Sequence, residues 1–320
     1  MPETSTLKRE EQNNDAGHDK AADALDYNED LHAEVPEDLQ IGEHGYKYRI
    51  VDGRVMPPYI TPRCYGLSRR IETRPTDICF VSYPKSGTTW LSYIIVLLTG
   101  NAGPSLERSF CWLESSWTHP INEDELGSDP KPRLFKSHMP YDMALGGVPH
   151  QSPCKYIYIA RNPKDVCSSY YYFESNKSWS GFYDGGWDHW LQMFQDGKVH
   201  RGDWFHHVLS WWEYRDADNI LFLHYEHLKR NTRAELEKIA KFLGLDIPLE
   251  RMDEIEGSIG FSAMKNTEFS AMKGVKEFGK FFRKGEIGSW KEYFTVAQND
   301  RFDALYQQRV DSSGIDFIFE

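Results

Sequence analysis

Residues 82–90 read Ser82-Tyr83-Pro84-Lys85-Ser86-Gly87-Thr88-Thr89-Trp90, placing Lys85, Gly87 and the hydroxyls of Ser86, Thr88 and Thr89 between an apolar β-type run and a helix-type run. A strand that turns into a helix presents backbone N–H groups and the positive end of the helix dipole. Gly87 lets an anion approach that backbone closely. The combination suits phosphate or sulfate, although an ordinary Ser/Thr-rich helix cap uses the same residues. A Walker-type nucleotide loop, the mark of an NTP-dependent kinase, needs Gly-x-x-x-x-Gly-Lys-[Ser/Thr]. Here Pro84 precedes Lys85 and no glycine lies in the strand before it.

Three further clusters carry charge at the ends of β-type or loop segments. Arg161-Asn162-Pro163-Lys164-Asp165-Val166-Cys167-Ser168-Ser169-Tyr170 follows an apolar run, with Arg161 at its end and Ser169 two turns into the next helix. Arg283-Lys284-Gly285-Glu286-Ile287-Gly288-Ser289-Trp290-Lys291 sets a charge pair beside a glycine, which is ordinarily a solvated turn. Arg133-Leu134-Phe135-Lys136-Ser137-His138-Met139-Pro140 ends a strand with Lys136 and His138 two residues apart, so both can share one side of the sheet edge. Histidine titrates near neutrality and can accept a proton from an attacking hydroxyl. A single histidine at a strand end is more often structural.

Taken together and in this order, the four clusters resemble the cytosolic sulfotransferase family over Asp77 to Thr295. The resemblance implies a donor, 3′-phosphoadenosine 5′-phosphosulfate (PAPS), and a product, 3′-phosphoadenosine 5′-phosphate (PAP). Lys85, Ser86, Gly87, Thr88 and Thr89 match the family's 5′-phosphosulfate loop, with Lys85 assisting the leaving oxygen and Trp90 packing on adenine. Arg161 and Ser169 match its 3′-phosphate segment, and Arg283, Lys284 and Gly285 match the RKGxxGxWK signature that closes on the same phosphate. Lys136-Ser137-His138-Met139-Pro140 is similar to the Lys-Thr-His-Leu-Pro segment that holds the family's base, which implies His138 as general base and Lys136 on the transferring or bridging oxygens. Tyr225 and Phe261 match adenine contacts. The chain departs from the pattern at Ile259-Gly260, where many members have Thr-Ser, and it lacks the Lys-x-x-x-Thr-Val-x-x-x-Glu dimer motif. A homodimer is compatible with the resemblance but unsupported by that motif. A cofactor-binding member with a regulatory or interaction role is the alternative within the family.

These clusters need a scaffold, and the runs that precede them supply one. Asp77–Ser82, Arg133–Lys136, Lys155–Ala160 and Asn219–Tyr225 are apolar, β-branched or aromatic, as are strands buried on both faces of a parallel sheet. Helix-type patterns follow several of them. In Arg233–Leu243, Leu236, Ile239, Ala240 and Leu243 share one face, with Thr232 and Glu235 forming a capping box and Gly244 ending the helix. The expected architecture is α/β: a single domain with a central parallel sheet flanked by helices and a P-loop-like phosphate-binding loop, with ligands at the carboxyl ends of the strands. Met56–Pro62 is proline-rich and is expected to lie extended rather than helical.

The chain has 320 residues, 40% of them hydrophobic, enough for such a domain over residues 41–320. Its formal charge is −12, but residues 1–45 hold thirteen Asp/Glu against three Lys/Arg, so the remainder sums to −2. Residues 1–40 are expected to be an acidic, disordered tail. No basic face suggests nucleic acid. The five cysteines are widely spaced with no CxxC pair, which suits a reducing cytoplasm, and no carboxylate or Cys/His pattern suggests a metal. The longest apolar run, Trp90–Leu98, is about half the roughly 20 residues of a membrane span. Phe110, Trp112, Trp117, Tyr141 and the stretch Trp179–Trp190 are aromatic segments that could cover the strand ends and receive a small acceptor such as a phenol, alcohol, sterol or amine.

Overall fold

Four apolar runs pair side by side as one parallel sheet: β4 (Ile78–Val81), β5 (Leu134–Ser137), β6 (Lys155–Ala160) and β7 (Ile220–His224), in the order β5-β4-β6-β7. The register aligns Ile78 with Leu134 on one side and with Lys155 on the other, and Tyr156 with Ile220. A computed structural model supplies these coordinates and describes residues 38–103, 105–106, 109–116, 132–176, 183–266 and 284–320. Residues 1–37, Trp117, Trp179–Phe182 and Arg283 lie outside the described residues, as does the side chain of Phe261.

Alternation along the strands divides the core. Cys79, Val81, Phe135, Tyr156, Tyr158 and Ala160 face one layer of helices: α3 (Pro163–Asn176), α4 (Trp187–Gln195), α5 (Trp204–Trp212) and α10 (Val296–Val310). Ile78, Phe80, Leu134, Ile157, Ile159 and Leu223 face the other: α2 (Thr88–Thr99), α7 (Thr232–Leu243) and α8 (Leu249–Ser258). Both faces are therefore covered, which is why the strands read as near-continuous apolar runs. Two short helices, α6 (Tyr225–Arg230) and α9 (Phe261–Asn266), connect these elements.

The amino-terminal part differs from the sequence expectation. Strands β1 (Gln40–Ile41), β2 (Lys47–Val51) and β3 (Arg54–Met56) form a separate antiparallel sheet. The two residues between β2 and β3, Asp52 and Gly53, have φ of 51° and 74°, the primed geometry of a tight hairpin. The proline-rich segment is only partly extended: Pro62 opens α1 (Pro62–Arg70), where Thr61 Oγ1 accepts from Cys64 N–H. Proline at the first helical position loses no intrahelical hydrogen bond.

The start of α7 is a second correction. No capping box forms, because the cap residue is Asn231 and α6 runs almost directly into α7. Thr232 Oγ1 instead donates to the Leu228 carbonyl at 3.0 Å. The expected stop holds: Gly244, at φ 75°, ends the helix in the left-handed conformation.

Candidate active site

Three of the four clusters meet at one edge because the strands before them run parallel, and the carboxyl-terminal segment from Lys284 reaches the same edge through contacts with Arg161, Asp165 and Tyr225. The Lys85 loop leaves β4, His138 follows β5, Arg161 follows β6 and Tyr225 follows β7. The chain turns outward in opposite directions from β4 and β6, so a crevice opens between their carboxyl ends, the usual ligand position in such sheets.

The Lys85 loop is built around glycine. Gly87 has φ of 101°, and a Cβ there would stand 2.7 Å from Cδ2 of the Tyr225 ring, so both conformation and space exclude a side chain. Lys85 itself lies in the left-handed region at φ 70°, a backbone outlier of the kind held at ligand sites. No side chain caps α2 at Gly87. The Ser86 hydroxyl is buried without a hydrogen-bond partner among the described residues. Ser82 Oγ and Thr88 Oγ1 are hydrogen-bonded to each other, and Thr89 is buried in the first turn. A buried orphan hydroxyl beside an uncapped helix start fits an anionic group.

Trp90 and Tyr225 stand edge to face, 5.5 Å between ring centres. The Trp90 indole N–H donates to the backbone carbonyl of Ile259 at 2.9 Å. The departure at Ile259-Gly260 thus leaves this anchor intact, because it uses main chain. Phe261 opens α9 next to it.

Arg161 joins the pieces. Its guanidinium donates to the carbonyls of Lys85 at 3.3 Å and Glu286 at 2.8 Å and lies over the Tyr225 ring at 4.5 Å, while its buried Nε has no partner among the described residues. Asp165 holds the carboxyl-terminal segment in place: it accepts from Gly288 N–H at 2.9 Å, Ser289 Oγ at 3.1 Å and Trp290 N–H at 2.9 Å. Tyr225 donates its hydroxyl to the Gly285 carbonyl at 3.0 Å. Ser169 sits half-buried in α3. Lys284 is half-turned to solvent and pairs with Glu292. Glu226, buried beneath, accepts from Asn162 N–H at 2.8 Å, and burial pushes its carboxyl up to about 7.

On the other side of the crevice, His138 donates from Nδ1 to the Ser82 carbonyl at 2.8 Å. A carbonyl oxygen can only accept, so Nδ1 carries the proton and Nε2 keeps the lone pair. Burial, followed by the positive charges of Lys136 and Arg201, holds the imidazole well below its ordinary range. Lys136 Nζ lies 3.9 Å from the centre of the Trp112 ring, and the same indole meets His138 edge to face at 5.7 Å. Lys136 and His138 therefore share one side, as their spacing requires. Lys85 Nζ lies 4.3 Å from the centre of the Phe173 ring.

Several residues here escape sequence reading. The buried Glu114 carboxylate accepts from His138 N–H at 2.7 Å, Ser137 Oγ at 2.8 Å and Trp112 Nε1 at 3.1 Å. Arg201, buried and left-handed at φ 74°, stands 3.5 Å from Glu114 and touches the sulfurs of Met56 and Met139. His207 Nε2 donates to the His138 carbonyl at 3.1 Å, leaving Nδ1 to accept from the Tyr158 hydroxyl at 2.8 Å. No local motif marks any of these. Of the aromatic loop residues, Phe110 and Trp112 stand over Lys136. Tyr141 stacks on Tyr214 at 4.2 Å and Trp190 is fully buried, so these two are packing residues.

A family profile described as the sulfotransferase domain matches residues 75–314. The chain belongs to the sulfotransferase family. It is a sulfotransferase by the same match, and its resemblance to the cytosolic members extends to whole proteins. Dog (Canis lupus familiaris) sulfotransferase 1B1 is 36% identical over 270 residues, covering 78% of this chain and 89% of that protein. Human sulfotransferase 1C2 is 32% identical over 289 residues, covering 86% and 96%. The crystal structure of mouse sulfotransferase SULT7A1 complexed with PAP superposes with a TM-score of 0.72 at 32% identity, covering 83% of this sulfotransferase and 96% of that chain. Retinol dehydratase complexed with retinol and PAP shares the fold at 20% identity and a TM-score of 0.72, covering 87% and 91%. Among the described residues, no helix is long and apolar enough to cross a membrane.

Proposed function

We propose that this sulfotransferase moves a sulfuryl group from PAPS to a hydroxyl or amine of a small-molecule acceptor, with His138 as general base. The observation that carries the reading is the His138–Ser82 hydrogen bond, which leaves Nε2 as a neutral acceptor beside the Lys85 loop. Ser86 Oγ and Arg161 Nε, buried without partners among the described residues, support an anionic donor held between the loop and β6. Ser86, Gly87, Thr88 and Thr89 would hold its 5′ end. Arg161, Ser169, Arg283, Lys284 and Gly285 would hold the 3′-phosphate, and Trp90, Tyr225 and Phe261 the adenine. When bound, the donor supplies an activated sulfuryl group and a phosphate as leaving group.

Transfer of such a group proceeds in line through a loose transition state, so the protein acts mainly by positioning and by balancing charge. His138 Nε2 takes the acceptor proton as the acceptor oxygen attacks. Lys136, on the same side of the sheet edge, stabilises negative charge on the transferring oxygens. Lys85 stabilises charge on the leaving side. Both ammonium groups lie over aromatic rings, whose faces attract a cation electrostatically.

Calorimetric titration with PAP in the absence of Mg²⁺ tests donor binding, and a screen of phenols, alcohols, sterols and amines with labelled PAPS tests transfer. Saturable PAP binding with label in at least one acceptor is expected. Undetectable PAP binding would overturn the donor assignment. Tight PAP binding with no label in any acceptor class would favour the regulatory alternative.

A further inference from the structure

The turn Glu43–Gly45, between β1 and β2, carries His44 in the left-handed region at φ 54° and ψ 36°. Opposite it, α4 presents His189 in its first turn. Glu43 Oε2 lies 2.9 Å from His189 Nε2, and the rings of His44 and His189 meet edge to face at 4.7 Å. One potential ligand atom from each of Glu43, His44 and His189 lies within 4.8 Å of the others. None of these elements carries the residues of the sulfuryl-transfer site.

An independent contact orients the imidazole. The hydroxyl of Tyr183, a fully buried residue, is 2.7 Å from His189 Nδ1. With Nδ1–H donated to that oxygen, Nε2 is the ring nitrogen that faces Glu43. Metal-binding histidines are generally held in this way, by an oxygen on the ring nitrogen that does not bind the metal. Asp184 supports the second imidazole: its Oδ1 is 3.4 Å from His44 Nδ1, and its N–H donates to the His44 carbonyl at 3.2 Å. An exposed Glu–His pair alone contributes little. Here two imidazoles and a carboxylate from two distant segments converge, and an outer partner stands behind each imidazole.

We propose that Glu43, His44 and His189 form a binding site for a borderline divalent transition-metal ion of the Zn²⁺ type. Two imidazoles and one carboxylate suit such an ion and are poor ligands for Mg²⁺ or Ca²⁺. Coordination displaces the proton shared between His189 and Glu43, leaves the remaining positions to water, and ties the turn before β2 to the start of α4. The role is structural or regulatory, because an ion bound only by the folded chain raises its stability.

The test uses the full chain, stripped with EDTA, desalted and titrated with ZnCl₂ by calorimetry, with Co²⁺ absorption in the visible as a second readout. One saturable site is expected, with a Zn²⁺-dependent rise in melting temperature. His44→Ala and His189→Ala should each weaken binding at least tenfold, Tyr183→Phe by about 10-fold or more, and His206→Ala not at all. Melting temperatures in EDTA show whether each variant is folded. Absence of saturable binding, or binding that persists unchanged in the folded His44→Ala/His189→Ala double variant, would overturn the assignment.

Discussion

His138 donates its Nδ1–H to the main-chain carbonyl of Ser82 across 2.8 Å, so the residue just after β4 sets the tautomer of the residue just after the neighbouring β5. This bond fixes ring orientation as well as proton position. It needs no carboxylate partner, since Glu114 holds the His138 backbone and leaves the imidazole alone.

The pH dependence of turnover follows from this environment. Burial and the nearby Lys136 and Arg201 charges hold the imidazole well below its ordinary range. A base must be neutral to accept a proton, so His138 as the proposed base stays competent as pH falls through about 6.5, the ordinary histidine value. In a kcat/KM profile, the acid limb that disappears in His138→Ala should lie below pH 6.5. A His138-dependent limb at or above 6.5 would contradict a buried neutral base.

Stability should fall in mild acid. Burial lowers His207 to about 3 and His224 to about 4, and lowers His138 as well. The unfolded chain takes up these protons near pH 6.5 while the folded chain does not, so their contribution is full above about 6.5 and declines as pH drops toward the folded values. Glu226, raised to about 7, acts in the opposite sense: its contribution is full below its unfolded value and is lost as pH rises toward 7. Three histidines outweigh one glutamate. Urea unfolding should therefore show lower stability at pH 5 than at pH 7, with a smaller difference in His224→Gln. Equal stability at both pH values would show that these rings are not buried neutral.

Gly87→Ala tests the cradle. The added Cβ meets the Tyr225 ring at 2.7 Å in a left-handed position, which is expected to cost about 1–3 kcal/mol of strain. Displacing Tyr225 also disturbs its hydrogen bond to Gly285 and its contact with Arg161. PAP affinity measured by calorimetry should fall at least tenfold in folded protein; wild-type affinity would mean the backbone there does not meet the ligand.

Glu114→Gln replaces a carboxylate that accepts three hydrogen bonds with a group whose nitrogen can only donate. At least one of the His138, Ser137 and Trp112 donors then loses its partner, at about 1–3 kcal/mol of stability. Because Glu114 faces β5 rather than the Lys85 loop, kcat should fall while PAP affinity holds. An equal loss in both would mark Glu114 as a general packing residue.

What was legible in the sequence depended on locality. β4 to β7 were readable because burial on both faces leaves unbroken apolar runs, and the Lys85 loop because its chemistry is contiguous. The β2–β3 hairpin carried a usable signal in Asp52-Gly53, and α1 carried one in Thr61-Pro62; both sit among charged or proline-rich neighbours that masked them. The pattern at Thr232 and Glu235 misled because a capping box needs a free helix start, and α6 occupies that space. Glu114, Asp165 and Arg201 were invisible for another reason. Each acts through partners distant in sequence, and a single buried charge has no local signature.

The most direct test of the account is His138→Ala, measured for PAP affinity by calorimetry and for sulfuryl transfer with an acceptor that the wild-type protein uses. PAP affinity should remain near wild type, since the residues proposed to hold the phosphates follow β4 and β6 or lie in the carboxyl-terminal segment, while transfer falls by about 10²-fold or more. Transfer at the wild-type rate with intact PAP binding would contradict His138 as the base and with it the reading of this strand edge.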